Sequence, residues 1–323
     1  MEELSHDIPV IVAVVSWNTR ELLRDCLTAL REDADQGLAD IWVLDNASSD
    51  GSAELVRSEF PWVQLIDSSE NLGFGPAVNR IAAQTSSPWI APANADIRVT
   101  PGAVRALLAA GRHHPEAGVI APRLILPDGS TQHSVYPFPT VPFALAYTTG
   151  LTRMSRRLAS RWAIDQGFDH DEAREVGWAV GALLLIRRGA WEHVGGFDEQ
   201  QWMYAEDLDL GWRLRRAGWK ARYAPEARVF HAESAATSQA WGPERYARWH
   251  ASSYAWLLRR RGALVTRSIA SIYACGYLAR AALWWPLAAA GSARARMRLE
   301  QAMGAARAHV VGLRSRRVLK GVR

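Results

Sequence analysis

The first hundred residues alternate apolar, β-branched runs with amphipathic segments at a regular spacing. The runs are IPVIVAVVSW (8–17), IWVLD (41–45), VQLID (63–67) and WIAPANAD (89–96). Continuous apolar runs of this kind are typical of strands that are buried on both faces of a parallel sheet, and the intervening segments have helical periodicity. The sequence therefore predicts an α/β fold, an open and mostly parallel sheet with helices on both faces.

Polar residues stand where each predicted strand ends, namely Ser16–Asn18, Asp45–Asn46, the loop Glu70–Gly75 and Asn94–Asp96. In open α/β sheets, ligands bind beyond these carboxyl ends. An Asp after the second strand can accept a hydrogen bond from a nucleobase or a ribose, but SWNTRELL after the first strand is neither a GxGxxG motif nor a P-loop. A bound diphosphate must then be neutralised in another way, and Asp96 can do so by holding a divalent metal.

A second charged stretch runs from Gly195 to His231. Three acids, Glu206, Asp207 and Asp209, open a predicted helix that ends in arginines before a glycine. Acids at a helix start also complement the helix dipole, worth roughly 0.3–1 kcal/mol each, so the pattern alone does not establish a site. Burial behind the preceding aromatic residues would raise a carboxylate pKa towards that of a general base. His231 ends the next strand run, as a metal ligand or as a structural histidine.

Composition narrows the classes of function. Cys26 and Cys275 lie far apart and form no CxxC motif, so we expect neither structural zinc nor thiol catalysis. The acidic N-terminus and the shortness of its apolar run exclude a signal peptide and a bilayer span there, so we expect a cytoplasmic catalytic part. The chain carries a net charge of +5, and its last thirty residues hold many arginines but no base-reading motif, so we expect no nucleic-acid partner.

After the strand run that ends at His231, the sequence changes from alternating strands and helices to a helical pattern. We therefore predict a catalytic domain at 1–238 and a C-terminal helical region at 239–323. Residues 133–175 have little periodicity and are predicted to line or cover a site. Residues 268–293 are largely apolar but carry Arg280 in their middle. An amphipathic helix pair on the inner face of the plasma membrane, with the basic tail on anionic lipid, is favoured over a plain helical cap and over a spanning helix.

Five segments together resemble an inverting family 2 glycosyltransferase with the GT-A fold. They are DNASSDGS, ENLGFGPAVNRI, NADIRVTPGAV, GALLLIRRGAWEHVGGFDE and YAEDLDLGWRLRRAGW…VFH, and they occur in the family's order. The resemblance covers about residues 8–235. It is nearest to the bacterial rhamnosyltransferase-like branch that builds cell-surface polysaccharide.

The resemblance implies a role for each matching position. Contacts to the nucleotide-sugar donor would come from Ser16, Asn18, Asp45, Asn71, Gly73, Asn79 and Asn94. Asp96 and His231 would bind a divalent metal, Mn or Mg, although Asn94 stands where strict DxD members have Asp. Asp207 would be the general base, Glu206 and Asp209 would orient the acceptor or cap the helix, and Trp202 and Trp178 could stack on its sugar rings.

The resemblance further implies a single displacement that inverts the anomeric centre, with dTDP-rhamnose as the best single donor and a glycan or polyprenyl-linked glycan as the acceptor. Donors of galactose, glucose or mannose on UDP or GDP are alternatives. A sugar-phosphate nucleotidyltransferase would need a glycine-rich, basic loop after the first strand, which Ser16–Arg20 does not provide. A non-catalytic scaffold would be expected to have lost Asp96 or Asp207, and both are present.

Overall fold

A computed structural model describes residues 9–164, 167–201, 203–232, 242 and 244–314 of the 323-residue chain. Contacts divide the chain into two compact units: unit 1 comprises residues 1–137 and 169–242, and unit 2 comprises 138–168 and 243–323. The predicted boundary at residue 238 lies outside the described residues. Most of the aperiodic segment 133–175 groups with the C-terminal helices, a partnership that the sequence did not predict.

Among the described residues, ten strands of unit 1 form one sheet. They are β1 (Val10–Ser16), β2 (Ala39–Asp45), β3 (Gln64–Asp67), β4 (Trp89–Asn94), β5 (Ile97–Val99), β6 (Ala117–Ile125), β7 (Thr131–Gln132), β9 (Arg174–Val176), β11 (Leu185–Arg187) and β12 (Lys220–His231), while β8 (Val135–Tyr136) pairs separately with β10 (Trp178–Ala179). The order is β3-β2-β1-β4-β11-β6-β12-β5, with β7 on β6 and β9 on β12.

The predicted βαβ half is confirmed. Strands β1 to β4 are mutually parallel, as are β6 and β12, whereas β5, β7, β9 and β11 run antiparallel to their neighbours. The helices of unit 1 lie on both faces of the sheet. They are α1 (Arg20–Asp35), α2 (Ser52–Glu59), α3 (Phe74–Ala82), α4 (Ala103–His113), α8 (Arg188–Val194) and α9 (Glu206–Arg216).

Strand register places the polar strand ends side by side. Strand β1 is almost wholly buried, and α1 covers it with an apolar stripe that includes Leu23, Leu27 and Leu30. Along β1, Ser16 is aligned with Asp45 of β2, and the preceding residue is aligned with Asn94 of β4. Three polar residues from adjacent parallel strands therefore share one edge of the sheet, where ligands of α/β folds bind.

Unit 2 is helical. It contains α5 (Val141–Thr148), α6 (Leu151–Met154), α7 (Arg156–Arg161), α10 (Glu244–Ala289) and α11 (Ala293–Val310), followed by a 3₁₀ turn at Val311–Leu313. Helix α10 breaks at Gly262, whose backbone (φ 80°, ψ 170°) is not helical. Within the described ranges, no helix has both the length and the apolar character needed to cross a membrane.

Candidate active site

The loops that follow β1 and β2 are locked together by side-chain hydrogen bonds. The backbone N–H of Asn18 donates to Ser48 Oγ (2.9 Å), and Asn18 Oδ1 accepts from the backbone N–H of Ser49 (2.8 Å). Ser16 is fully buried, and its hydroxyl lies 3.1 Å from that of Thr19. Both predicted residues, Ser16 and Asn18, thus lie at the sheet edge and hold the shape of these loops.

Asp45 presents a buried carboxylate oxygen to this edge. The side chain is 1% exposed, and its Oδ2 accepts from the backbone N–H of Ser48 (2.9 Å). Its Oδ1 has no hydrogen-bond partner among the described residues, and burial raises the pKa of Asp45. A buried acceptor without a donor costs about 1–3 kcal/mol, so an N–H or O–H group of a ligand would be stabilised here.

The glycine-containing loop between β3 and α3 is held from β2 by Asn46. Asn46 Nδ2 donates to the carbonyl of Gly73 (3.2 Å), and its Oδ1 accepts from the N–H of Leu72 (3.1 Å). Asn71 Oδ1 accepts from the N–H of Gly73 (2.9 Å), and Gly73 takes φ 86°, a conformation that favours glycine. Asn71 and Gly73 therefore shape the loop, and Asn46, which the sequence analysis placed at the end of the second strand without giving it a role, anchors it.

Asn79 has a different role from the predicted one. It lies on α3, where its Nδ2 donates to the carbonyl of Phe197 (3.0 Å) and its Oδ1 accepts from the N–H of the same residue (2.9 Å). This two-point contact joins α3 to the Gly195–Phe197 turn. Its amide is used in packing, so it does not shape the nucleotide loop.

Asn94, Asp96 and His231 converge at the end of β4. His231 Nε2 lies 3.3 Å from Asp96 Oδ1 and 3.5 Å from Asn94 Nδ2. The side chains of His231 and Asp96 are only 5% and 8% exposed. His231 Nδ1 lies 2.8 Å from Oε1 of Gln132. Because an amide oxygen only accepts, Nδ1 carries the proton and the Nε2 lone pair faces Asp96.

This cluster fits a divalent cation that takes its other ligands from a bound phosphate compound. Two ligands on adjacent octahedral positions, each about 2.1 Å from the metal, are about 3 Å apart, close to the Asp96–His231 separation. An imidazole nitrogen suits manganese better than magnesium. Within the described part of the chain, no cluster of three or more His, Cys, Asp or Glu could hold a metal ion by itself.

Asp207 opens α9 directly opposite Gly181. Its Oδ2 accepts from the N–H of Gly181 (3.1 Å) and its Oδ1 from the N–H of Leu208 (2.7 Å). The two residues before the helix, Tyr204 and Ala205, have φ of 60° and 65°, the left-handed region that side-chain-bearing residues rarely adopt. Such backbone strain, of order 1–3 kcal/mol per residue, is common at functional sites. Burial raises the pKa of Asp207 to about 6.

Glu206 is the neighbour of Asp207 at the start of α9. Its Oε2 is buried and has no hydrogen-bond partner among the described residues. Burial, and then the adjacent Asp207 carboxylate, raise the pKa of Glu206 to about 8. At neutral pH, Glu206 is therefore protonated and able to donate a hydrogen bond into the site, whereas Asp207 is ionised and able to accept a proton.

Two consecutive residues join the base to the metal cluster. Gly181 donates to Asp207, and the carbonyl of Ala182 accepts from the N–H of Asn94 (2.9 Å). A Cβ added at Gly181 would lie 3.5 Å from Asp207 Cβ and 3.8 Å from Cε1 of Phe74, the first residue of α3. The base, the metal cluster and the start of the helix after the glycine loop thus adjoin one another.

The structure also corrects the predicted role of Asp209. Its side chain is completely buried, and its Oδ2 lies 2.7 Å from Nε of Arg213. Arg213 donates in turn to the carbonyls of Val194 and Gly196, both at 2.7 Å. Asp209 and Arg213 therefore fasten α9 to the Gly195–Phe197 turn, and the carboxylate is not accessible to an acceptor.

Of the two predicted acceptor tryptophans, Trp202 lies outside the described residues. Trp178 lies on β10, half-buried, and its indole N–H donates to the carbonyl of Pro137 (3.1 Å). Its ring stacks on Tyr136 with a centroid distance of 5.1 Å and an interplanar angle of 29°. A rigid, partly exposed aromatic pair therefore lies three residues before Gly181, the residue that binds Asp207.

The chain matches glycosyltransferase family models and is similar to known glycosyltransferases. The family model "Glycosyl transferase family 2" matches residues 11–162, and "Glycosyl transferase family group 2" matches residues 89–299. The chain is 36% identical over 232 residues to the N-acetylglucosaminyl-diphospho-decaprenol L-rhamnosyltransferase of Mycobacterium tuberculosis. The aligned region covers 68% of this chain and 75% of the relative. It is 28% identical over 167 residues to the O-antigen biosynthesis protein RfbC of Myxococcus xanthus, and this alignment covers 50% of this chain and 12% of the relative.

Solved structures share the fold. The mannosyltransferase PcManGT from Pyrobaculum calidifontis, in complex with GDP-Man and Mn²⁺, aligns with a TM-score of 0.58 and 17% identity over 94% of this chain and 86% of its own. TarS 1–349 of S. aureus aligns with a TM-score of 0.51 and 12% identity over 97% and 82%. At these identities the likeness concerns the GT-A architecture alone.

Proposed function

The chain belongs to glycosyltransferase family 2, and from this membership we propose that it transfers L-rhamnose from dTDP-L-rhamnose to a polyprenyl-linked glycan in cell-surface polysaccharide synthesis. The observation that carries the reaction is the placement of Asp207 next to the Asn94–Asp96–His231 cluster. The sugar and the acceptor are proposed from the relative in Mycobacterium tuberculosis, whose name describes rhamnosyl transfer to N-acetylglucosaminyl-diphospho-decaprenol.

The donor nucleotide would bind across the ends of β1 and β2. Asp45 Oδ1, which has no donor among the described residues, would accept from the base or the ribose. The loops fixed by Asn18 and Asn46 would keep that oxygen at the sheet edge. This preorganisation lowers the entropic cost of ordering the nucleotide.

The diphosphate would lie over the end of β4. A divalent cation held by Asp96 and His231 would neutralise its charge and stabilise the departing nucleoside diphosphate. Gln132 keeps the His231 proton on Nδ1, so that Nε2 stays available as a ligand.

The acceptor hydroxyl would be activated by Asp207. The two backbone N–H groups of Gly181 and Leu208 fix its orientation, and a pKa of about 6 leaves the carboxylate ionised but basic at neutral pH. In one in-line displacement, the hydroxyl oxygen would bond to the anomeric carbon, its proton would pass to Asp207, and the bond to the diphosphate would break. One displacement inverts the anomeric centre and needs no nucleophilic carboxylate.

A polyprenyl-linked acceptor would place the enzyme at the inner face of the plasma membrane, with the site in the cytoplasm. The stacked pair Trp178 and Tyr136 would offer the acceptor sugar an aromatic face close to the base.

The test is transfer by the purified full-length chain from a panel of nucleotide sugars, with and without Mn²⁺. We expect dTDP-rhamnose to be preferred and Asp207→Asn to lower kcat by about 10²–10⁴-fold while dTDP binding, measured by calorimetry, persists. Asp35→Asn, an exposed carboxylate of α1, is the matched control and should leave kcat unchanged.

Two results would contradict the proposal at different levels. Preference for a UDP or GDP sugar would contradict dTDP-rhamnose as the donor but would still be consistent with sugar transfer. Full activity of Asp207→Asn would contradict the assignment of Asp207 as the general base, and with it the proposed mechanism.

A further inference from the structure

Among the described residues, the strongly exposed large apolar side chains all lie in unit 2. Among the described residues they are Leu145, Leu151, Met154, Tyr246, Trp249, Leu264, Leu278, Leu283, Trp285, Leu287, Met297 and Leu313. Monomeric soluble proteins rarely group such side chains on one part of their surface without a binding role. The exposed apolar surface of unit 2 is therefore expected to bind a partner.

Much of this surface lies on the second half of α10. Ser271, Cys275, Leu278, Ala282 and Trp285 recur at helical spacing and are all exposed, so they form one face. Leu283 (75% exposed) and Leu287 (54%) lie roughly 140° and 180° round the helix from Leu278, since successive residues turn by about 100°. Leu283 thus lines the side that meets α5, together with Cys275 and Ala279. None of the exposed residues between positions 271 and 290 is charged.

The one charged residue in this stretch is used inside unit 2. Arg280 Nη2 donates to the carbonyls of Tyr147 (3.3 Å) and Thr148 (3.1 Å), at the end of α5. Its guanidinium also lies 5.1 Å from the ring centroid of Tyr277. Arg280 therefore binds the last turn of α5, where a cation is favoured, and the exposed face of α10 stays apolar.

Helix α5 widens the apolar face. It crosses α10 closely, since a Cβ added at Gly276 would lie 2.7 Å from Thr148 Cβ. A groove lies along this crossing, lined on one side by Leu145 and Gly150 and on the other by Cys275 and Leu283. The exposed leucines of two helices thus face the same groove.

Basic residues border the apolar face at one end. After the turn that follows α10, α11 begins with Arg294, Arg296 and Arg298, all exposed, and Glu300 is the only acid of that helix. Because α10 and α11 form a hairpin, these arginines lie at the same end as Trp285. An apolar face with Trp at its edge and arginines beside it matches the chemistry of an anionic lipid surface.

We propose that the docking face of unit 2, formed by Leu145, Cys275, Ala279 and Leu283 and bordered by Trp285 and the three arginines of α11, binds the anionic surface of a lipid bilayer. Charge complementarity decides the occupant. In a symmetric pair of chains, the arginine borders of both copies would crowd together, whereas anionic headgroups neutralise them. The proposal extends the proposed function to a surface outside the catalytic site.

Cys275 makes the face directly measurable in the full-length chain. It is exposed on the docking face, whereas Cys26 is completely buried and burial raises the pKa of its thiol. A thiol-reactive, polarity-sensitive dye should therefore label Cys275 alone. With vesicles of phosphatidylglycerol and phosphatidylcholine, we expect the dye emission to shift to the blue and the protein to co-sediment. Vesicles of phosphatidylcholine alone should bind far less.

Two variants test the two parts of the face. Replacing Arg294, Arg296 and Arg298 by Gln should weaken binding to anionic vesicles by on the order of a hundredfold, because each cation near such a surface contributes roughly a fivefold factor. The matched control, with Arg80, Arg112 and Arg216 of unit 1 replaced by Gln, loses the same charge from exposed positions and should bind normally.

The apolar variant replaces Leu145 and Leu283 by Gln and should also lose binding, with an unchanged melting temperature because both side chains are exposed. Undiminished binding by this variant would overturn the proposal. So would a failure to bind any vesicle, or a blue shift without lipid that tracks dimer formation in sedimentation velocity. These outcomes leave sugar transfer untouched, since the assay contains neither donor nor acceptor.

Discussion

Replacing Glu206 by Gln should preserve transfer activity at neutral pH and stabilise the protein in alkaline buffer. Glu206 is protonated at neutral pH because burial, and then the charge of Asp207, raise its pKa to about 8. Gln has nearly the same shape as the protonated acid and keeps a hydrogen-bond donor at the position where Oε2 has no partner among the described residues. The substitution therefore removes only the ability to ionise.

The size of the effect follows from proton linkage. Between the pKa of the unfolded chain, 4.5, and that of the folded chain, about 8, the folded protein binds one proton more than the unfolded chain. The stability that Glu206 provides is thus complete below pH 4.5, falls as pH rises and is lost above about pH 8. The pKa difference sets an upper limit of about 5 kcal/mol, and local relaxation of water and side chains reduces the expected loss to about 2 kcal/mol.

The assay is urea unfolding of wild type and Glu206→Gln at pH 5 and pH 8.5. The two proteins should have similar stability at pH 5, and the variant should be more stable by about 2 kcal/mol at pH 8.5. Glu192→Gln, at an exposed position of α8, is the control and should show no comparable change with pH. A stability difference that is the same at both pH values would refute the reasoning, as would loss of activity in the variant at pH 7.

Three further substitutions test the contacts around the site. Gln132→Met should weaken Mn²⁺ binding in the presence of dTDP by about 10–100-fold, measured by electron paramagnetic resonance, whereas Gln132→Glu should retain it. Equal affinities of the two variants would contradict the role of Gln132 in positioning His231. Asp209→Asn should destabilise the fold by about 3 kcal/mol in urea, because it removes the fully buried carboxylate that pairs with the partly buried Arg213. Equal urea midpoints would contradict this. Gly196→Ala should lower the melting temperature more than Gly37→Ala: both have positive φ, but only at Gly196 does the new Cβ meet atoms as close as 2.6 Å. Equal shifts would exclude the steric argument.

The sequence was sufficient to predict those parts of the fold that depend on local pattern. The run 41–45 ends at the same aspartate as the observed strand β2, and the acids at 206–209 open α9, which ends at Arg216 before Gly218. Parallel strands share an edge, so a polar residue after each buried run is enough to place the nucleotide side of the site. Asn46 was placed at this edge too, but its role in holding the glycine-containing loop depends on contacts 26 and 27 positions away, which the pattern does not indicate.

Contacts between distant segments could not be predicted in this way. Gln132 belongs to a two-residue strand and meets His231 from 99 positions away, so neither periodicity nor spacing points to it. Asp209 is the opposite case, because helical geometry was informative. Successive residues of a helix turn by about 100°, so Asp207 and Asp209 point about 200° apart and cannot both face one acceptor.

The Gly195–Phe197 turn explains why two residues with typical active-site side chains serve packing instead. Asn79 binds the backbone of Phe197 from α3, which begins next to the Glu70–Gly75 loop, and Arg213 binds the carbonyl of Gly196 from α9, whose first turn carries Asp207. Both helices are therefore fastened to one short turn. Misplacement of a reacting group by about 1 Å can cost 10²-fold in rate, and the loop around the donor and Asp207 come from segments more than 130 residues apart. A shared anchor is the shortest way to fix their separation, and it accounts for the partly buried amide of Asn79 and the buried carboxylate of Asp209 near the site.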